Sequence, residues 1–331
     1  AYLMSRTLVR PLLHLTDHAK ALPQVDFTAP RSEGGPISRG SLEEMARQRV
    51  DEVGRLAEAF QFMEKSLREN VARLVQVTGE RERMAGELKA ARDIQEGLLP
   101  KTFPAFPSRS DFDLYADLIS ARDVGGDLYD FYLLDDRHLF FVIGDVSGKG
   151  VPAALFMAVT RTLLKVMAEQ GMEMTPLINR VNDALSLDNP NCMFVTLFAG
   201  VLDLQTGNTS FVNAGHNQPM LVQPDGTCGI LEDVSGPALG AMEGMDFATY
   251  QTVLKPGGGL VLYTDGVTEA FDADHTEYGE DRFETFVRTH ADAGPRDMVS
   301  GLVADVHEHA AGTEQSDDIT VLSLRYHGSS E

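Results

Sequence analysis

The sequence predicts an α+β fold in which antiparallel β-sheets are covered by helices. Beyond Pro104, short runs of β-branched and aromatic residues show the period of two that is typical of strands. Residues 134–137 and 223–226 resemble the turns of β-hairpins, which join antiparallel strands. Helical patterns stand between groups of strands rather than after every strand, so a doubly wound parallel sheet is not expected.

The individual elements follow from these periodicities. Strands are predicted at residues 112–119, 128–134, 138–144, 194–202, 209–212, 219–222, 260–264 and 319–326. Helices are predicted at residues 152–169, 176–187, 281–290 and 296–310. Together they indicate one domain over residues 101–327.

Two further helical segments are predicted before this domain. Between residues 8 and 22, apolar residues recur at spacings of 4, 3, 4 and 3, the seam of a helix that packs on other helices. A Pro- and Gly-rich stretch at residues 30–40 separates this helix from a second amphipathic helix that begins at Asp51. An ordinary helical hairpin is the alternative interpretation.

The second helix is predicted to continue to Pro100, because proline cannot extend a helix. Over residues 73–100 its apolar stripe narrows to a seam formed by Met84, Leu88, Ala91, Gln95 and Leu98. A stripe this narrow predicts a parallel coiled coil, and therefore a homodimer. Ile94 lies off the seam, and we expect it to dock on the following domain.

Composition narrows the possible partners. The 331 residues are 43% apolar and carry a formal charge of −22, so the chain can bury a core but lacks the basic clusters that hold nucleic acid or an anionic membrane surface. Two cysteines without metal-ligand spacing fit a reduced cytosolic setting. Residues 1–11 are too short to span a bilayer and contain two arginines. We interpret them as the cytoplasmic flank of a membrane segment, which predicts a membrane-anchored protein acting at the cytoplasmic face.

Four carboxylates stand at the ends of apolar runs, where strands would hold them rigidly. They are Asp127, Asp145, Asp265 and Asp317, several with glycine beside them. Oxygen ligands of this kind suit Mg²⁺ or Mn²⁺ rather than zinc or copper. Because like charges brought together repel one another, bound cations would be needed to stabilise the cluster. The pattern therefore indicates metal-assisted phosphate chemistry.

Other interpretations of these carboxylates remain open. They could be four unrelated strand-end turns, since Asp-Gly is common there. Gly-Gly-Asp also occurs in diguanylate cyclases, but the Glu-Glu-Phe continuation of that motif is missing here. A degenerate phosphatase used as a signalling scaffold is the non-enzymatic alternative, which the presence of all four aspartates disfavours.

The N-terminal residues 1–72 resemble a HAMP signalling module. The resemblance rests on Arg10-Pro11-Leu12, on the connector, and on Asp51-Glu52-Val53-Gly54 before the second helix. In HAMP modules, two such helices from each of two chains form a parallel four-helix bundle that passes on a membrane signal.

Residues 87–326 resemble the RsbU/SpoIIE branch of the metal-dependent type 2C protein phosphatases. Six blocks occur in the order of that family: ELKAARDIQEGLLP at 87–100, VGGDLYD at 124–130, GDVSGKG at 144–150, NAGHN at 213–217, YTDGV at 263–267 and DDIT at 317–320. The resemblance implies an α-β-β-α sandwich of two antiparallel sheets and hydrolysis of phosphoserine or phosphothreonine. It also implies that the substrate is a small phosphorylated STAS-domain protein of the anti-sigma-antagonist type.

The resemblance also implies roles for individual residues. Asp127, Asp145 and the carbonyl of Val146 would hold a pair of Mn²⁺ or Mg²⁺ ions, with Asp265, Asp317 and Asp318 completing the metal shell. Two such ions activate water for in-line attack, so that no covalent phosphoenzyme is needed. Ser147 occupies the position of a histidine found in eukaryotic relatives, which leaves the general acid open.

Two conspicuous motifs have simpler interpretations. Residues 148–150 lack the spacing of a phosphate-binding P-loop, so we expect their glycines to permit a tight strand-to-helix turn. His216 could face a substrate, but a hydrogen-bonded turn histidine is the better interpretation.

Continuity of the helix up to Pro100 also predicts how activity is controlled. Coiled coils have discrete packings, so a change in the HAMP-like bundle could reseat Leu88, Ala91 and Leu98 and move elements next to the metal site. We therefore expect phosphatase activity to be controlled by a change in helix packing within the dimer.

Overall fold

The computed structural model describes residues 9–21, 46–47, 51–101 and 103–329, and it divides the chain at residues 87 and 88. In the first unit, helix α1 covers Arg10–Ala21, and helix α2 covers Glu52–Leu98 and continues into the second unit. Leu15 of α1 is buried in one cluster with Val53 and Ala57 of α2. Both predicted helices are therefore present. Residues 30–40 lie outside the described part of the chain, and the HAMP-like organisation stays a prediction.

The second unit contains the predicted strands and helices. The strands are β1 (Phe112–Ile119), β2 (Leu128–Leu133), β3 (His138–Val146), β4 (Val195–Asp203), β5 (Asn208–Ala214), β6 (Met220–Val222), β7 (Cys228–Ile230), β8 (Tyr250–Val253), β9 (Gly259–Tyr263) and β10 (Ile319–Tyr326). The helices are α3 (Val151–Glu169), α4 (Met174–Ser186), α5 (Asp265–Thr268), α6 (Glu280–Thr289) and α7 (Pro295–His309).

These strands form two five-stranded sheets in which all strand pairs are antiparallel. Sheet I has the order β1-β10-β9-β6-β7, and sheet II has the order β2-β3-β4-β5-β8. The prediction of an α+β fold with two antiparallel sheets is confirmed.

Three apolar cores make the layers. Phe141 and Phe198 of sheet II meet Leu262 and Leu322 of sheet I in the core between the sheets. Neighbouring residues on the strands point the opposite way, so a second core joins sheet II to α3 and α4, and a third joins sheet I to α6 and α7. Each fully buried Leu or Phe contributes roughly 1.5–3 kcal/mol. Strands packed on both faces hold their end residues in fixed positions.

One face of helix α3 belongs to the second core. Its length and composition would suffice to cross a membrane, but Met157 and Leu164 are buried against sheet II. This buried face forms a layer of the sandwich.

The junction before the domain differs from the prediction. Helix α2 ends at Leu98, before Pro100, as expected. The prediction that Ile94 docks on the domain is wrong, because its side chain is 69% exposed. Gln95 and Leu99 are buried instead, and Leu99 joins the core between the sheets. At Gln95, the predicted coiled-coil seam is therefore covered by the domain of the same chain and not by a second helix.

Candidate active site

The predicted aspartates come together because antiparallel pairing places strand ends side by side. Asp127 directly precedes β2, whose Leu128 pairs with Gly144 of β3, next to Asp145. In sheet I, the backbone of Thr264, just after β9, donates to the carbonyl of Thr320 near the start of β10, at 3.0 Å. Stacking of the two sheets then brings both pairs of strand ends to one site.

Asp127 is the buried centre of this site and joins the two sheets. The hydroxyls of Thr264 and Thr320, both from sheet I, donate to its Oδ2 at 2.8 and 2.5 Å. Burial raises the pKa of Asp127 well above its usual range, and the charges of Asp145 and Asp318 raise it further. The two threonines favour the charged form and fix the carboxylate in one orientation.

Asp318 is also buried and is held by main-chain donors. Its Oδ1 accepts from the backbone N–H of Ala121, and its Oδ2 accepts from that of Gly126, both at 2.8 Å. Glycine is required at position 125, since a Cβ there would lie 2.0 Å from Asp318 Oδ2. The Gly-Gly-Asp turn and the Asp-Asp pair are therefore built to fit one another.

Asp145 and Asp265 extend the cluster. Burial raises the pKa of Asp145 to about 7, with a further contribution from the charge of Asp265. The pKa of Asp265 is raised by burial and then by the charge of Asp317. A divalent cation would relieve this repulsion, so the direction of both shifts is that expected for a cation-binding cluster.

Asp317 differs from Asp318 in its surroundings. Its Oδ2 forms an ion pair with the Lys149 ammonium at 2.8 Å, and its Oδ1 accepts from the backbone N–H of Asp318 at 2.9 Å. Its side chain is 33% exposed. The two adjacent aspartates therefore face different partners.

The donor set fits magnesium or manganese. Carboxylate oxygens are joined by the Val146 carbonyl, and a Cβ at Gly126 would lie 2.8 Å from that carbonyl oxygen. In the described part of the chain, no three His, Cys, Asp or Glu side chains are by themselves arranged to hold an ion. The fit therefore rests on the oxygen chemistry, the raised pKa values and the closeness that the glycine turn permits.

Sequence reasoning missed the contact made by Gln95. Its Nε2 donates to the carbonyl of Gly125 at 2.6 Å, and its Oε1 accepts from the N–H of the same residue at 3.2 Å. The end of α2 thus holds the turn that carries Asp127. The polar residue at a seam position is the available signal, but the same position also fits a coiled coil.

The simpler interpretations of the two conspicuous motifs are confirmed. Gly148 and Gly150 have φ of 88° and 79° in the turn from β3 into α3. His216 is buried in its turn, with Nδ1 3.0 Å from the Thr196 hydroxyl and its backbone N–H bonded to Asn213. Burial lowers the pKa of His216 to about 3, so the imidazole is neutral near pH 7.

Ser147 and Asp130 are engaged in structural contacts. The Ser147 hydroxyl oxygen accepts from the backbone N–H of Phe194 at 3.0 Å. The Asp130 carboxylate, in the same block as Asp127, forms a buried ion pair with Arg161 of α3 at 2.8 Å. Asp130 therefore fixes α3 on sheet II.

A solved structure has the same fold as the second unit. The chain matches the PP2C domain of SiaA from Pseudomonas aeruginosa with a TM-score of 0.65 and 22% identity, over 74% of this chain and 98% of that one. The second unit has the PP2C-type phosphatase fold.

The chain belongs to the Stage II sporulation protein E (SpoIIE) family, which matches residues 135–327. Protein IcfG of Synechocystis sp. is 30% identical over 93% of this chain, which spans 51% of IcfG. Phosphoserine phosphatase RsbU of Bacillus subtilis is 26% identical over 75% of this chain and 72% of RsbU. The resemblance of the catalytic domain to the RsbU/SpoIIE branch is confirmed.

Proposed function

We propose that this chain is a metal-dependent protein serine/threonine phosphatase that hydrolyses a phosphoserine or phosphothreonine to the free hydroxyl and phosphate. One observation carries the proposal: strand ends of both sheets gather Asp127, Asp145, Asp265 and Asp318 into a cluster in which burial and mutual repulsion raise three of the pKa values. Such clusters of raised pKa values are typical of functional sites.

The residues that would hold the ions are those that the family resemblance implies, and their contacts in the cluster support the assignment. Asp127, Asp145 and the Val146 carbonyl would hold the pair, and Asp265, Asp317 and Asp318 would complete the shell. Bound Mg²⁺ or Mn²⁺ supplies Lewis-acid charge at the phosphoryl oxygens and lowers the pKa of water. The protein supplies the positioning: Thr264 and Thr320 orient Asp127, and the Gly125 turn orients Asp318.

The substrate that best fits is a small phosphorylated STAS-domain protein. The name of RsbU, a phosphoserine phosphatase, supports this class of reaction. The acidic composition, with 50 Asp and Glu against 28 Lys and Arg, argues against nucleic acid. We further infer a homodimer joined through the N-terminal module and α2, acting at the cytoplasmic face of a membrane in the full-length protein.

Phosphate release tests this proposal. The whole chain is incubated with Mn²⁺ or Mg²⁺ and a phosphorylated STAS-domain protein from the same genome. We expect release that stops in excess chelator and falls at least about 100-fold in Asp127→Asn, since one carboxylate of the metal shell is lost. Asp292→Asn, an exposed carboxylate outside the site, is the matched control and should retain the parent rate.

The alternatives give different results. Release that continues fully in chelator would overturn the two-metal proposal. A chain that binds the phosphoprotein tightly but releases no phosphate with either ion would be a scaffold. Formation of a cyclic dinucleotide from GTP would indicate the cyclase instead.

A further inference from the structure

Lys149 reaches the candidate site from a neighbouring turn. Its ammonium lies 2.8 Å from Asp317 Oδ2 and donates to the carbonyl of Ser316 at 2.7 Å. Gly148 and Gly150, both with positive φ, flank the lysine between β3 and α3. These contacts join the turn after Asp145 to the segment before β10.

The two oxygens of Asp317 have partners of unequal mobility. Oδ1 accepts the backbone N–H of Asp318, whose own side chain is fixed by Ala121 and Gly126. Oδ2 accepts a long, flexible lysine side chain that is 39% exposed. Of the two partners, only Lys149 can leave without rearrangement of the buried cluster.

We propose that the Lys149 ammonium is an internal counter-ion that competes with a divalent cation for the Asp317 carboxylate and is released when the cation binds. This inference rests on the proposed function, since it takes Asp317 as a metal ligand. A cation bound to Asp317 would lie within about 5 Å of an ammonium on the same carboxylate, and the two positive charges would repel each other. The lysine thus neutralises the carboxylate and also weakens cation affinity.

Lysine labelling tests the release in the unmodified chain. The protein is acetylated briefly with an N-hydroxysuccinimide ester, with either Mn²⁺ or chelator present, and modification is quantified by mass spectrometry. We expect Lys149 to react about threefold to tenfold faster with Mn²⁺, because its ion pair is broken. Lys255, an exposed lysine elsewhere, should be unchanged. Equal reactivity of Lys149 in both conditions would overturn the proposal.

Mn²⁺ affinity tests the competition. The electron paramagnetic resonance signal of free Mn²⁺ is followed during titration of the parent chain and its variants, without substrate. Lys149→Gln should bind Mn²⁺ about threefold to thirtyfold more tightly, and Lys149→Arg should stay within about twofold of the parent. Lys255→Gln makes the same change in net charge and should have no effect.

The outcomes separate this inference from the function on which it rests. If the parent binds Mn²⁺ and Lys149→Gln binds it no more tightly, the counter-ion role is wrong while the metal site stands. If neither the parent nor any variant binds Mn²⁺, both the metal site and the competition are wrong.

Discussion

At the scale of single residues, glycines shape the site as much as the carboxylates do. Gly125 has no side chain, and the Asp318 carboxylate lies in the space that a Cβ would fill. The backbone N–H of the next glycine then bonds that carboxylate. The turn before Asp127 and the residues before β10 therefore depend on one another, although they are 192 positions apart in the sequence.

Gly125→Ala should break this contact. The added Cβ would lie 2.0 Å from Asp318 Oδ2, so the buried carboxylate must move and lose its main-chain donors. We expect a loss of about 2–4 kcal/mol in the free energy of unfolding and at least a tenfold drop in phosphate release. Urea unfolding in chelator and the phosphatase assay measure the two effects.

Gly97→Ala is the matched control for that change. Gly97 lies on α2 with nothing within 4 Å of an added Cβ, so the variant should be more stable by about 0.5–1 kcal/mol. A fully active Gly125→Ala chain of parental stability would contradict the close fit of the two segments.

His216 should make the chain sensitive to acid. Its pKa is lowered to about 3 in the fold by burial, against about 6.5 in the unfolded chain. Below pH 6.5 the unfolded state binds the proton and the folded state does not, so stability is lost as pH falls, by about 1.4 kcal/mol per unit. The raised pKa values of Asp127, Asp145 and Asp265 have the opposite effect on how stability depends on pH. They are present both in the parent and in a variant without His216, so they cancel when the stabilities of the two proteins are subtracted.

Urea unfolding of the parent and His216→Gln between pH 7.5 and 4.5 isolates this contribution. We expect the parent to be more stable near pH 7 and to lose that advantage progressively below pH 6.5. A difference that stays constant across this range would show that the histidine does not titrate in this way.

The sequence predicted which carboxylates gather, but not how each is held. Asp127, Asp145 and Asp265 could be found because each follows or precedes an apolar strand. Which member of the Asp317-Asp318 pair is buried depends on the direction of each side chain at the entry to β10. That direction is set by main-chain donors from residues 121 and 126, which no local pattern reveals.

At the scale of elements, helix α2 ends on the turn that carries Asp127. Gln95 makes two hydrogen bonds to Gly125, and Leu99 enters the core between the sheets. The chain is therefore held on the PP2C domain at Gln95, near the end of the helix, and at Leu99 just beyond it. The position of this helix end and the position of the turn cannot change independently while both bonds are kept.

Gln95→Ala should release the turn. The Gly125 N–H would lose its acceptor, so its amide hydrogen should exchange about tenfold faster or more, as seen by hydrogen exchange in chelator. Ile94→Ala removes a neighbouring side chain that is 69% exposed and should leave exchange unchanged. Equal exchange in the Gln95 variant and the parent would mean that the helix end does not hold the turn.

The elements that were missed share weak local signals. Strands β7 and β8 are short edge strands of three and four residues without a fully buried side chain, so they lack the apolar alternation of a core strand. Helix α5 is a single turn that begins at Asp265 directly after β9. Core strands such as β3 and β10 can be predicted because nearly all of their residues are buried, so the strand is visible as a mostly apolar run in the sequence.

At the scale of the whole molecule, the surface of α2 requires explanation. The helix has 47 residues and exposes large apolar side chains along much of its length, among them Phe62, Leu67, Leu74 and Met84. Leu74 is 65% exposed. Exposed apolar residues of this size stand out in a chain with a formal charge of −22. A long helix with unpartnered apolar residues is what the predicted parallel coiled coil would cover with a second copy.

Leu74→Asp should therefore shift the chain from dimer to monomer in analytical ultracentrifugation, because a charge would replace an apolar side chain that the second helix is expected to cover. Ala72→Asp places the same charge on an exposed position two residues away and should stay dimeric. Since Leu74 is distant in sequence from Gln95 and from every candidate metal ligand, a change in phosphate release in the monomer would show that pairing of the helices controls the site. A monomeric variant that keeps the parent rate and metal requirement would instead reduce α2 to a tether.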